Sequence, residues 1–193
     1  MKEEIFINNI IKNTKVEGPG IRHGLWLQGC EKKCKGCFAK HTWDIESGQK
    51  FTVKDVVSEL SDSEDGITIS GGEPFLQAKS VFNILDNLKT KSVILFTGFT
   101  MEEILENKNI FILKCINKID VLITGRYVQE NPEKSRPFVG SENQRFWFLT
   151  NKYSWDDFKQ LKNSIEIRIK NNGNIVINGM ENPENIKMFS YSE

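Results

Sequence analysis

Short apolar runs, Ile67 to Ser70, Val93 to Phe96 and Val121 to Thr124, each close on a glycine (Gly71, Gly98, Gly125), and helix-like segments lie between them. β-Branched strands alternating with amphipathic helices restrict a chain to right-handed βαβ units around a parallel sheet, an α/β fold. Ile21 to Leu27 reads as the first strand and Phe146 to Leu149 as a fifth. Thr52 is placed to cap a helix over Val53 to Leu60, and Ala78 to Leu88 carries Val81, Phe82, Leu85 and Leu88 at helical spacing. Thr100 caps a third helix beginning Met101-Glu102-Glu103-Ile104. Near the C-terminus, Ile165 to Ile177 holds Asn171-Asn172-Gly173-Asn174 between two alternating runs, which predicts a β-hairpin.

At 193 residues, one well-buried core is expected, hence a single domain over 1–193. Lys plus Arg equals Asp plus Glu at 26 each, so bulk charge favours neither a nucleic-acid nor an anionic-membrane partner. Met1-Lys2-Glu3-Glu4 is acidic where a signal peptide needs a basic start, and no apolar stretch approaches the roughly 20 residues of a membrane helix. A cytoplasmic protein is expected. In a reducing compartment its four cysteines are ligands or free thiols rather than a disulfide framework, and Cys115, within Phe111 to Ile116, reads as a small buried hydrophobe.

In parallel sheets function collects at the carboxyl ends of the strands, and the chain's oddest segments fall there. Cys30, Cys34 and Cys37 follow the first strand in Cys-x3-Cys-x2-Cys spacing. Three thiolates hold an iron-sulfur cube with one iron lacking a protein ligand, a position open to substrate or cofactor. His41, four residues beyond Cys37, completes a rival Cys3His zinc set. All these ligands crowd into one loop, whereas zinc sites usually pair two knuckles a dozen or more residues apart. Gly71-Gly72-Glu73-Pro74 follows the second strand. As a turn it is ordinary punctuation. As a site, its glycines let a ligand approach the backbone and Glu73 offers a carboxylate, which suits an ammonium-bearing ligand.

Together these two motifs resemble the radical S-adenosylmethionine superfamily. The resemblance implies a 4Fe-4S cluster on Cys30, Cys34 and Cys37, and S-adenosylmethionine with its amino group at Ser70, Gly71, Gly72 and Glu73. Glu17-Gly18-Pro19-Gly20-Ile21-Arg22, Cys34-Lys35-Gly36-Cys37-Phe38 and Thr42-Trp43 look like the activating proteins of glycyl radical enzymes, particularly those of anaerobic ribonucleoside-triphosphate reductase. Leu95 to Glu103, which includes Thr97, Asp120 to Gly125 and Gly140-Ser141-Glu142-Asn143-Gln144-Arg145 extend the likeness, so it covers about residues 5–150 and leaves 151–193 as an extension. Thr97 joins the implied cofactor contacts. Gly125-Arg126-Tyr127 departs from the pattern by its cation.

The resemblance implies an incomplete, TIM-like βα barrel open along one side. It implies reductive cleavage of S-adenosylmethionine to a 5'-deoxyadenosyl radical, which takes hydrogen from a glycine of a large glycyl radical enzyme, an anaerobic ribonucleotide reductase or a relative. A flavodoxin or ferredoxin would supply the electron. The alternative is a free-standing radical enzyme acting on a peptide or small molecule, with the extension shaping its site; a zinc-binding interaction module is the third reading.

Arg126 is set to neutralise the cofactor carboxylate or to lie on the surface. Asn143 and Gln144 face a choice between contacting the nucleoside and bonding their own turn. His23, inside a strand, reads as structural. Lys32, Lys33, Lys35 and Lys40 surround the cysteines, either as a solvated loop or as a guide for an acidic electron donor.

Overall fold

The computed structural model describes residues 3–169 and 171–180. One seven-stranded sheet organises them. Its strands are β1 (Glu4–Thr14), β2 (Arg22–Leu27), β3 (Gln49–Thr52), β4 (Gly66–Gly71), β5 (Val93–Thr97), β6 (Val121–Thr124) and β7 (Arg145–Phe148), in the spatial order β3-β1-β2-β4-β5-β6-β7. The helices are α1 (Val53–Leu60), α2 (Ala78–Asn87), α3 (Met101–Leu105), α4 (Ile110–Ile116) and α5 (Trp155–Lys159). The fold is mixed α/β.

β2, β4, β5 and β6 run parallel, joined by the helical crossovers that parallel pairing requires. β1, β3 and β7 are antiparallel to their neighbours, which corrects the expectation of a parallel sheet throughout. Residues 15–21 between β1 and β2 are too few for a crossover, and residues 125–144 between β6 and β7 hold no helix to make one. β1 itself is absent from the sequence pattern because its register shifts by one between Ile7 and Asn9, so the core face of Ile5 and Ile7 continues at Ile10 and the period-two alternation breaks.

Alternate residues of the strands bury on opposite faces. On one face Leu25, Leu27, Ile67, Ile69, Leu95 and Leu122 pack with Val56, Leu60, Val81, Ile84, Ile104 and Ile112 from the helices. Cys115 lies in this core as expected, its Sγ 3.5 Å from the Ala78 carbonyl, and burial pushes the thiol up to about 12. Caps fix the helix starts. Thr52 accepts from the Asp55 amide at 3.2 Å, and Thr100 and Glu103 form a reciprocal capping box. On the other face Ile94, Val121 and Ile123 pack against Phe138, Val139 and Phe158.

That second core draws in the extension. Tyr153, Phe158 and Leu161 belong to it, and α5, which the sequence pattern does not announce, carries Phe158 into it. The predicted hairpin is present as β8 (Ile165–Ile169) and β9 (Ile175–Gly179). It clamps the end of β1: Arg168 donates to the carbonyls of Lys12 and Asn13 at 2.6 and 2.8 Å, and Thr14 donates to Glu166 at 2.7 Å. Residues 181–193 of the expected extension lie outside the described residues.

Candidate functional site

The site grows from a backbone splice between the ends of β2 and β4. Gly72 donates to the Leu27 carbonyl and Glu73 to the Gly29 carbonyl, both at 2.8 Å. Gly29 and Cys30 in turn donate to Thr42 and Trp43 at 2.7 and 3.0 Å, closing the cysteine loop on itself. Only glycines permit this splice: Gly71 has φ +100° and a side chain there would strike the Leu27 backbone, while one on Gly72 would strike the Gly29 carbonyl. The two motifs therefore touch through main chain before any ligand is considered.

Glu73 is fixed at the centre. Its Oε1 accepts from the Thr97 hydroxyl at 2.8 Å and the Phe75 amide at 3.0 Å, and its Oε2 from the Gly98 amide at 2.8 Å. Burial raises its pKa above the ordinary carboxylate range, opposed by those three donors and by Lys32.

A cleft of about 220 Å³ opens above this centre. Cys30, Cys34, Cys37, Ser70, Gly71, Gly72, Glu73, Thr97 and Arg126 all line it, so the cluster and cofactor residues expected from the resemblance border one cavity, whereas His23, Lys33, Lys35, Lys40, His41 and Asn143 do not. The cysteines are free thiols, and Gly36, with φ +75°, turns the loop between Cys34 and Cys37. Burial also pushes the Cys30 thiol up, partly offset by the backbone amides of Lys33 and Lys32. His41, the fourth ligand of the zinc alternative, is exposed and lines a neighbouring depression with Cys30 instead. Among the described residues no three His, Cys, Asp or Glu side chains converge to hold a metal ion.

The donor set fits an iron-sulfur cluster: three soft thiols line one cleft. Trp43 lines it too, and its indole Nε1 is buried with no acceptor among the described residues, an N–H that a sulfide-bearing group would satisfy.

Residues 16–147 match the family model described as a 4Fe-4S single cluster domain. Among curated proteins, the anaerobic ribonucleoside-triphosphate reductase-activating protein of Enterobacteria phage T4 is 36% identical over 145 residues, which cover 70% of this chain and 88% of the relative. The namesakes from Escherichia coli K12 and Vibrio cholerae are 34% and 32% identical, each covering 67% of this chain and 89% and 88% of the relative. The chain belongs to the anaerobic ribonucleoside-triphosphate reductase-activating protein family. Among solved structures, QueE from Escherichia coli superposes with a TM-score of 0.41 at 22% identity over 50% of this chain and 53% of that one, too loose a likeness to carry a conclusion.

Within this activating-protein family member, several cleft residues have roles that pattern alone does not announce. Arg126 pairs with Glu103 at 3.2 Å and is 53% exposed, a rim position. Asn143 and Gln144 bond backbone: Asn143 donates to the Arg126 carbonyl at 2.8 Å, and Gln144 accepts from the Gly140 amide at 2.8 Å. His23 stands at the far end of β2, accepting from the Asn13 amide at 3.1 Å and pairing with Asp62 at 2.9 Å, a structural placement. Lys32 separates from the other loop lysines, for its side chain turns into the cleft and is 12% exposed. Phe96 and Phe138 add apolar wall, and Met180, at the end of the hairpin, reaches the cleft from beyond the family model's span. No spacing signal marks Met180.

Proposed function

We propose that this protein is a radical S-adenosylmethionine enzyme of the glycyl radical activase type, with a 4Fe-4S cluster on Cys30, Cys34 and Cys37. Its hydrogen donor is a glycine of an anaerobic ribonucleotide reductase-like partner. The observation carrying this reading is that the three thiols and the Glu73 centre line one cleft in a chain of this family. When bound, the reduced cluster and S-adenosylmethionine together supply a 5'-deoxyadenosyl radical, the chemistry the side chains cannot furnish.

The chain's own residues bind and orient. Glu73 holds an ammonium with a carboxylate already positioned by Thr97 and Gly98. Gly71, Gly72 and Ser70 admit the ligand's amino-acid end against the backbone. Phe96 and Phe138 keep water from the reacting end. The sheet, whose β2, β4, β5 and β6 run parallel, is read as a partial βα barrel whose open side admits a partner's loop. Residues 1–193 form one domain. A flavodoxin or ferredoxin donor meets the exposed Phe38 and the exposed Lys33, Lys35 and Lys40 beside the cysteines. Among the described residues no helix is long and apolar enough to cross a membrane, and a cytoplasmic site of action fits the reducing chemistry.

The test is anaerobic reconstitution with iron and sulfide, then dithionite and S-adenosylmethionine. Formation of 5'-deoxyadenosine, and a glycine-centred radical signal on an added anaerobic reductase, is expected. Colourless protein that holds zinc and yields no 5'-deoxyadenosine overturns the reading. Met180 in the cleft favours one alternative, a free-standing enzyme that modifies a peptide or small molecule directly. That alternative requires 5'-deoxyadenosine coupled to a product without the large partner.

A further inference from the structure

The root of the C-terminal hairpin holds a buried polar knot that the chemistry of the cleft does not use. Asn178 of β9 is 8% exposed, and its amide nitrogen donates to Thr14 Oγ1 at 2.9 Å and to Glu17 Oε1 at 3.1 Å. The Thr14 hydroxyl donates to Glu166 Oε2 at 2.7 Å, so its oxygen can only accept from Asn178, which fixes the end of the amide that faces it. Asn178 Oδ1 is left buried with no donor among the described residues, a costly state for an amide oxygen.

Glu17 is the group able to become that donor. A carboxyl beside a primary amide closes a reciprocal pair when protonated: the amide N–H donates to one carboxyl oxygen, and the O–H on the other donates to the amide oxygen. The neighbouring charges are committed elsewhere. On β8, Arg168 pairs with Glu166 at 2.6 Å and donates to the Lys12 and Asn13 carbonyls. On β1, Lys12 meets Glu59 at 3.0 Å; Lys15, in the loop after it, is exposed; and Arg22 of β2 bonds Thr68, Ser92 and Tyr153. Burial pushes the Glu17 carboxyl up to about 7, opposed by Asn178 and the Gly179 amide and reinforced by the Glu166 carboxylate.

We propose that Glu17 keeps its proton in the folded protein and closes a reciprocal carboxyl-amide pair with Asn178, a proton-dependent latch that seats the end of the hairpin at the cleft. Met180, two residues on, borders the cleft, and its amide donates to the Ser164 carbonyl at 3.0 Å. Between them Gly179, at φ +99°, packs against that carbonyl and Val16 too closely to admit a side chain. As pH rises the Glu17 proton leaves to solvent. Asn178 Oδ1 then loses its donor, and the Glu17 and Glu166 carboxylates repel each other beneath β9. The hairpin end separates from β1 and carries Met180 away from the cleft wall.

Hydrogen exchange read by mass spectrometry on the reconstituted full chain, corrected for the intrinsic dependence of exchange on pH, tests the latch over residues 175–180. Wild-type protection there should fall about tenfold between pH 6 and pH 8, the change that a carboxyl moved from 4.5 to about 7 produces over that interval. Glu17→Gln makes the same reciprocal pair without a titrating proton, so its protection should stay constant. The wild-type infrared spectrum at pH 6 should carry a protonated-carboxyl band that titrates near pH 7 and is missing from Glu17→Gln. Wild-type protection that does not respond to pH, or an equal fall in Glu17→Gln, overturns the latch. Absence of a carboxyl band titrating near pH 7 in wild type overturns the pair itself, and that measurement stands even where the variant does not fold.

Discussion

The Tyr153 hydroxyl lies 3.0 Å from Nη1 of Arg22, so a residue beyond the family model's span completes the hydrogen bonding of a fully buried guanidinium in the first parallel strand. Arg22's other hydrogen-bond partners are neutral: Thr68 Oγ1 at 2.9 Å, Ser92 Oγ at 3.0 Å and the Ile67 carbonyl at 2.6 Å. Burial holds this arginine below its usual range, with Tyr153 acting against the shift. Tyr153→Phe leaves a buried charged donor short of one acceptor and should cost about 1–3 kcal/mol in urea unfolding, with iron content unchanged. A silent substitution would mean the extension is not coupled to the strand.

Phe158 is the second anchor. It is fully buried, and its ring meets Phe138, Phe146, Phe148 and Tyr153 edge-on at 5.5 to 6.1 Å between centroids. Phe158→Ala should destabilise the protein by about 3–5 kcal/mol, because it removes the centre of the second core and leaves a cavity. Denaturant midpoints of variant and wild type check this. A loss below about 1 kcal/mol would show that the extension packs only loosely on the sheet.

The hairpin's attachment also titrates. Burial pushes the Glu17 carboxyl up to about 7, opposed by Asn178 and the Gly179 amide and reinforced by Glu166. Asn178 donates to both Glu17 and Thr14, and Arg168 pairs with Glu166 beside them. A carboxyl raised in the folded state contributes stability that is full below its unfolded value and is lost as pH rises through the folded one. Glu17→Gln should therefore gain on wild type between about pH 4.5 and 7, by up to about 3 kcal/mol. Chemical denaturation of both proteins at pH 5 and pH 8 reads it, and parallel curves would refute the buried-carboxyl account.

Much of this was legible because its chemistry is local. Thr52 and Thr100 announce their helices, and strand-ending glycines place the cysteines, Glu73 and Thr97 at one end of the sheet before any coordinates. What stayed hidden depends on distant contacts. β1 loses its alternation to a register shift, α5 is a single turn and a half held by Phe158's burial, and β7 pairs antiparallel because no crossover precedes it. Lys32 is indistinguishable from Lys33 in sequence, and only the Phe99 ring turns it inward. Met180 reaches the cleft through a hairpin clamped to β1, a contact spanning most of the chain.

The cysteines divide by environment. Cys34→Ala removes one of the three thiols at the cleft and should abolish cluster loading while leaving the fold intact, since the residue is only half-buried and outside both cores. Cys115→Ala should load iron and sulfide normally and lose stability modestly, because its thiol packs against Ala78 and has no role at the cleft. Iron and acid-labile sulfide assays on both variants decide the matter. Normal loading by Cys34→Ala would remove it from the ligand set.

Glu73 joins stability to function. Its carboxylate is buried, Lys32, which also faces Glu103, only partly offsets the burial, and burial raises its pKa, so the folded protein is destabilised as pH rises through that raised value. Glu73→Gln removes the buried charge but sets an amide N–H toward either Thr97 or Gly98, both of which now donate to Glu73. The lost hydrogen bond and the relieved desolvation oppose each other, so stability at pH 8 should change by no more than about 1 kcal/mol. Binding should not be spared. An ammonium ligand loses a charge-assisted partner worth about 1.5–3 kcal/mol, so S-adenosylmethionine affinity should fall by about tenfold or more. Thermal unfolding and anaerobic dialysis on the same preparation test both halves. Unaltered affinity would show that the ligand's ammonium sits elsewhere, and collapse of the fold would show that Glu73 is held for packing rather than for binding.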